Sequence, residues 1–306
     1  MTRLAAGWTC WADLHKTPTQ RDAEPGEQVN DRPLGRAVEP GDGRPSISGS
    51  GRDGDPRVEP EPTPAELLKV VALDGPAGTG KSSVAKGVAA VLGWRFVDTG
   101  ASYRAVTLAL LRAGVDLADP VEVARAAAKL HVELLTDPSS PGVRVDGADV
   151  SQQIRSEEVS AHVSAVSAVP AVREQLVSLQ RRSMGTAGAV VEGRDIATVV
   201  APRARLKVYL DARPEVRARR RAREGESARG SEGTSVRSSE SSSADSSEAL
   251  TTVAAQLRER DTRDNETTRL AASDGALHVD TSDLDLPAVI DLVVCLAQEA
   301  GLTSDA

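Results

Sequence analysis

Residues 68–93 read LKVVALDGPAGTGKSSVAKGVAAVLG, and the succession of textures within them decides the fold. The β-branched run LKVVALDG stops at glycine, as a strand buried on both faces does. The next stretch, Gly75-Pro76-Ala77-Gly78-Thr79-Gly80-Lys81-Ser82, fits GxxxxGK[ST] in full. Behind it Val84, Val88, Ala89, Val91 and Leu92 recur at helical spacing until Gly93 closes the helix. Strand, glycine loop and helix in that order make a phosphate-binding loop. Glycines let the backbone wrap closely, so that N–H groups and the helix N-terminus point at phosphate oxygens. Lys81 is placed to bridge the β- and γ-phosphates of a nucleotide, and the Ser82 hydroxyl to hold Mg²⁺. Asp74, directly before the loop, reads equally as a structural residue and as one that orients the loop or a metal-bound water.

Outward from this unit, further strand candidates are GAVVEG (188–193), ARLKVYLD (204–211) and ALHVD (276–280). Helical stretches, including 103–113 and 285–299, separate them, and such alternation predicts an α/β fold with a parallel sheet flanked by helices. Residues 131–150 instead read as two strands around a Pro/Gly turn, followed by helical text over 156–183. They form an insert of about 131–183 on a domain spanning 66–302. Helical text on either side of a segment with ten serines (226–248) predicts a helical flap, about 213–264, with a flexible tip. Residues 1–65 carry nine of the seventeen prolines and no apolar repeat, which predicts a disordered extension.

Composition narrows the classes. The 306 residues are 40% hydrophobic and only 2% aromatic, with no apolar run of the roughly 18 to 20 residues that a membrane span needs. The N-terminal residues lack the apolar core of a secretory signal, so a cytoplasmic location with no membrane partner is expected. A net charge of -8 argues against a nucleic-acid partner, because duplex binders carry a basic excess. With Cys10 and Cys295 as the two cysteines, and His131, His162 and His278 far apart, neither a disulfide framework nor a zinc site is expected. Cys295 reads as a small core residue of the last helix.

Neither NKxD nor LSGGQ occurs, so the usual marks of a switch GTPase and of a transporter ATPase are missing. Arginine-rich groups occur instead. Asp98-Thr-Gly-Ala-Ser-Tyr-Arg104 follows the short segment WRFVD, Glu192-Gly-Arg-Asp-Ile-Ala-Thr198 follows AVV, and Arg260-Asp-Thr-Arg-Asp264 faces the arginines of 217–223 across the flap. Phosphoryl transfer between two anionic substrates needs cations around the shared phosphoryl group, and a closing flap can bring them. Strand-end Arg and Asp pairs suit a second, nucleoside-type ligand.

The motifs GPAGTGKSS, DTGASYR, DVSQQIRSEEV, PAVRE, EGRDIATVV, KVYLDA and RERDTRD stand in the order found in bacterial cytidylate kinases, and over about 70–296 the chain resembles that family. The resemblance implies a kinase that transfers phosphate from ATP, with Mg²⁺, to CMP and dCMP, and implies a monomer. It implies that Gly75, Pro76, Ala77, Gly78, Thr79, Gly80, Lys81, Ser82 and Ser83 hold ATP, and that Thr99 and Arg104 meet the monophosphate. Ser164 and Arg173 resemble the cytosine-reading positions, with Asp195 accepting from the exocyclic amine. Arg155 and Arg194 resemble residues that pair with the CMP phosphate or buttress Asp195. Arg220 resembles a lid arginine, and Arg260 with Asp264 the pair that contacts phosphate and sugar, so that Lys81, Arg220 and Arg260 carry the catalytic charge. Thr99 stands where the family has serine, NETTRLAAS follows Asp264 and moves the next arginine to Arg269, and the serine-rich tip is longer than usual. A kinase for UMP or a sugar, and a nucleotide switch without transfer, are the alternative readings.

Overall fold

The computed structural model describes residues 69–230, 254–255, 261–262 and 275–303. The extension 1–65, the serine-rich stretch from 231 onward, Arg260, Asp264 and Arg269 lie outside the described residues.

Strand β1 (Val70–Asp74) is buried along its whole length because it has a neighbour on each side and helices on both faces. Val71, Ala72 and Leu73 are fully enclosed, and each large side chain there contributes roughly 1.5–3 kcal/mol by leaving water. The other strands of this sheet are β2 (Arg95–Asp98), β6 (Ala189–Glu192), β7 (Leu206–Asp211) and β8 (Leu277–Asp280), in the order β2-β6-β1-β7-β8. All four pairings are parallel, so their carboxyl ends share one edge. Asp98 and Glu192 are paired in register at the ends of β2 and β6.

Helix α1 (Lys81–Leu92) lays Val84, Val88 and Leu92 on the sheet and meets α7 (Leu286–Glu299) closely, since a Cβ on Gly87 would lie 2.2 Å from the Ile290 side chain. Val91, expected on the same face, is 61% exposed at its margin. Cys295 of α7 is half-buried with its thiol toward Glu299, while Val289, Val293 and Ala297 form the core-facing row. Helix α2 (Thr99–Arg112) begins at once after β2, earlier than the expected 103, because the Asp98 side chain accepts from the Ala101 N–H and caps it.

A second group of elements packs after α2. Helix α3 (Pro120–Ala127), which sequence periodicity did not single out, starts on an Asp119 cap with Pro120 in the first turn. An antiparallel sheet follows, β3 (Val132–Leu135), β4 (Gly142–Val145) and β5 (Ala148–Asp149). The expected helical run divides at Pro170 into α4 (Glu157–Ser167) and α5 (Pro170–Met184). These elements bury Val143, Val159, Val166, Val172 and Leu176 against α2, in a second hydrophobic core that they share with that helix. Helix α6 (Pro214–Gly230) runs five residues into the segment expected as loop, because Glu, Ala and Arg extend a helix readily and Gly230 is its last residue. Among the described residues no helix is long and apolar enough to cross a membrane.

Candidate active site

A cleft opens over the carboxyl ends of β1, β6 and β2, where parallel α/β sheets bind ligands. Its floor is the phosphate loop. Gly75 has φ +142°, and a Cβ there would fall 2.0 Å from the Leu210 carbonyl oxygen, so the first turn tolerates no side chain. Ala77, Gly78, Gly80, Lys81, Ser82 and Ser83 face the cleft, whereas Gly75, Pro76 and Thr79 support the loop from behind. The Lys81 ammonium donates to the Pro76 carbonyl at 2.8 Å and the Thr79 hydroxyl to the same oxygen at 3.1 Å, which holds the loop in its wrapped form. The Ser82 hydroxyl donates to Glu192 Oε1 at 2.6 Å. Burial, reinforced by Asp98, pushes the Glu192 carboxyl up to about 6, while Lys81, Ser82 and Arg104 pull the other way. Glu192 and Asp98 were not singled out from the sequence. Both are the last residues of apolar strands entering the shared edge, and that position is the signal that finds them.

The second wall comes from α2, α4, α5 and the turn after β6. A Cβ on Gly193 would lie 2.4 Å from Thr99 Oγ1, so glycine is what lets β6 deliver its next residues against the start of α2. The Thr99 hydroxyl lines the cleft but donates to the Glu192 carbonyl at 2.8 Å, so its proton is engaged. Arg104 sits on the inner side of α2. Burial, with Arg221 and Arg155 nearby, pulls its guanidinium below the ordinary value against Asp98 and Glu192. Such a group of like charges is relieved by an anion. Arg173 of α5 forms an ion pair with Asp195, and Ser164 of α4 stands on the same wall. Tyr103, one of two tyrosines in the chain, joins them, and burial with the Asp195 charge pushes its hydroxyl up to about 12 against Arg173. Gln180 Nε2 donates to Ser102 Oγ at 3.0 Å and braces α5 against α2 behind this wall.

The arginines sort differently from the expectation. Arg220 does not line the cleft. Its guanidinium donates to the Thr79 carbonyl at 3.1 Å, to Thr281 Oγ1 at 2.8 Å and to the Thr281 carbonyl at 2.6 Å, on the flank where β8 ends. One helical step turns a side chain by about 100°, and the neighbouring Arg221 is the one that faces the cleft. Arg155 is exposed at the end of a 3-10 turn (Gln153–Arg155) and reaches Arg104 through its field rather than lining the wall. Arg194 lines the cleft and donates to the Gly75 carbonyl at 3.1 Å, with Asp261 at 3.8 Å; the partner of Asp195 is Arg173. Asp261, also unforeseen, accepts from Arg217 at 2.5 Å and from the Ala77 N–H at 3.3 Å, which ties it to α6 and the phosphate loop. Arg260 and Asp264 lie outside the described residues.

Residues 71–299 match the cytidylate kinase family model. The chain belongs to the cytidylate kinase family. It is 46% identical over 234 residues to the cytidylate kinase of Streptomyces avermitilis, covering 75% of this chain and 93% of that protein. It is 48% identical over 225 residues to the cytidylate kinase of Mycobacterium avium, covering 72% and 92%, and 44% identical over 240 residues to that of Streptomyces coelicolor, covering 77% and 95%. Membership in a kinase family makes ATP the phosphoryl donor and nucleotides the substrates. The match begins at residue 71 and so leaves the N-terminal 70 residues without a counterpart in the family model.

Proposed function

We propose that the protein phosphorylates CMP, and dCMP, at the expense of ATP by direct in-line transfer. The observation that carries this reading is the shared cleft, which Lys81 and Ser82 of the phosphate loop line together with Arg104 and the Arg173–Asp195 pair. Cytosine presents an N4 donor beside N3 and O2 acceptors. The Asp195 carboxylate accepts from the amine, and the donors of Arg173 and Ser164 answer the acceptors. Arg104, with Arg155 at longer range, receives the monophosphate, and Arg194 adds charge beside the loop.

A phosphate oxygen of CMP attacks the γ-phosphorus while the bond to the β–γ bridging oxygen breaks, leaving ADP. Lys81 and Arg221 neutralise charge on the equatorial and bridging oxygens, and the flap excludes water that would otherwise hydrolyse ATP. Arg220 holds the flank of the loop. The depression it shares with Arg213, Arg223 and Leu284, next to Thr79, takes the donor's nucleoside. Arg260 and Asp264 retain their family-implied contacts with phosphate and sugar in this reading.

The donor set fits Mg²⁺. Ser82 Oγ and the Glu192 carboxylate are hard oxygens 2.6 Å apart beside the phosphate loop. Among the described residues no group of three His, Cys, Asp or Glu could hold a metal. Two protein oxygens beside the loop suit an ion which keeps most of its ligands as water and phosphate. When bound, Mg²⁺ supplies charge neutralisation at the β- and γ-phosphates; Ser82 ligates it and Glu192 orients Ser82.

The deciding experiment is ADP release from Mg-ATP with CMP, dCMP, UMP, AMP and GMP supplied separately. Turnover strongest with CMP and dCMP supports the assignment. ADP formed equally without an acceptor, or with AMP and GMP, overturns it.

A further inference from the structure

Asp74 is a buried carboxylate that takes no part in the chemistry above. It is 7% exposed, and burying a charge is unfavourable unless hydrogen bonds offset it. Its bonds do not go to the phosphate loop that it precedes. The Ile196 N–H donates to Oδ1 and the Ala197 N–H to Oδ2, both at 2.8 Å. These two amides open the π-helical turn Ile196–Val200 that follows Asp195, whose own backbone, φ −138° and ψ 30°, is not helical. Two further bonds tie the same strip to the end of β1, from the Gly193 N–H to the Leu73 carbonyl at 3.0 Å and from Arg194 to the Gly75 carbonyl at 3.1 Å.

Residues 193–197 are therefore stapled to residues 73–75 on both sides of Asp195. Backbone bonds run from Gly193, before it, and from Ile196 and Ala197, after it. The Gly193 bond is an ordinary continuation of the parallel ladder. The pair at Asp74 is different, because one side chain satisfies two consecutive amides with a full charge, the stronger class of hydrogen bond. We propose that Asp74 is a positioning residue for acceptor specificity, holding Asp195 at the height above the phosphate loop where its carboxylate meets the exocyclic amine of the acceptor base. This rests on the reading of Asp195 given under the proposed function. It gives the residue before the loop a task on the acceptor side of the cleft.

In Asp74→Asn one oxygen still accepts, while the amide nitrogen opposes the second N–H. The ratio of kcat/KM for CMP to that for UMP is expected to fall about tenfold, the effect of misplacing one charged hydrogen bond, with KM for ATP changed less than about twofold. Asp74→Ser, which loses the charge in a smaller side chain, is measured in parallel so that a fold defect in one variant leaves the ratio readable. The decisive control is the Asp195→Asn background. There the Asp74 substitutions are expected to leave the CMP to UMP ratio unmoved, since the group they position has lost its charge. An unchanged ratio in the single variants, an equal drop in both backgrounds, or a rise in KM for ATP matching that for CMP overturns the inference. The wild-type protein separates the two claims. Failure to use CMP sinks the functional reading, whereas CMP preference in wild type with an unmoved ratio in the variants sinks the role of Asp74 alone.

Discussion

Ser82 of the phosphate loop donates its hydroxyl proton to Glu192, at the end of the strand beside it, across 2.6 Å. With its proton engaged there, the Ser82 oxygen keeps its lone pairs for the metal ion of the proposed mechanism. Replacing Glu192 by Ala frees the hydroxyl to rotate and removes the carboxylate. We expect kcat to fall on the order of 10- to 100-fold and half-saturating Mg²⁺ to rise. A Mg²⁺ titration of turnover checks this, and an unshifted midpoint contradicts it.

Lys81 is buried with its ammonium held in the loop by the Pro76 carbonyl. Lys81→Ala is expected to reduce turnover by at least about 10²-fold, as for loss of a cation that acts on the transferring phosphoryl group. Circular dichroism is expected to show the fold retained. Near-normal turnover in a folded variant rejects the phosphate-loop assignment.

Arg220 and Arg221 are adjacent in sequence, but Arg220 bonds Thr79 and Thr281 while Arg221 lines the cleft. Arg221→Ala is expected to lower kcat about tenfold or more with little change in Tm, because its charge faces the cleft. Arg220→Ala is expected to lower Tm and raise KM for ATP, because its guanidinium bonds the carbonyls of Thr79 and Thr281. Steady-state kinetics with melting curves for the two variants distinguishes them, and the reverse pattern restores Arg220 as the lid residue.

Burial raises the Asp74 carboxyl above its ordinary value of 3.8, with Asp195 adding to the shift and the amides of Ala197 and Ile196 opposing it. The folded protein thus binds this proton more tightly than the unfolded chain does. The resulting stabilisation is fully present below 3.8 and is lost as pH rises through the raised folded value. Compared with Asp74→Asn, which does not titrate there, the wild type is expected to lose relative Tm over that window and to run parallel to the variant above it. Melting curves from about pH 3.5 to 7 test the sign, and a wild-type advantage that grows with pH contradicts it.

The phosphate loop was legible in residues 75–82 because its chemistry is local: glycines where the backbone must turn, then Lys81 and Ser82 at fixed spacing. The parallel sheet was legible for a similar reason, since β1 and β6 are apolar runs with no alternation, the mark of burial on both faces. The family order of motifs pointed to residues far apart in the chain. Ser164, Arg173 and Asp195, from three separate segments, do meet in one cleft.

Direction and partnership were not legible. Spacing cannot say that Arg221 rather than Arg220 turns inward, because one helical step is decided by which face of α6 packs on the loop. It cannot say that Asp195 pairs with Arg173 while Arg194 reaches Gly75, nor that Asp74 serves Ile196 and Ala197 rather than its own loop. Those pairings span up to 123 residues of chain and exist only because β1, β2 and β6 lie side by side and bring their carboxyl ends together. Local backbone preference and hydrophobic period are written residue by residue. The partner of a buried charge is settled by whichever group folding carries within hydrogen-bond reach.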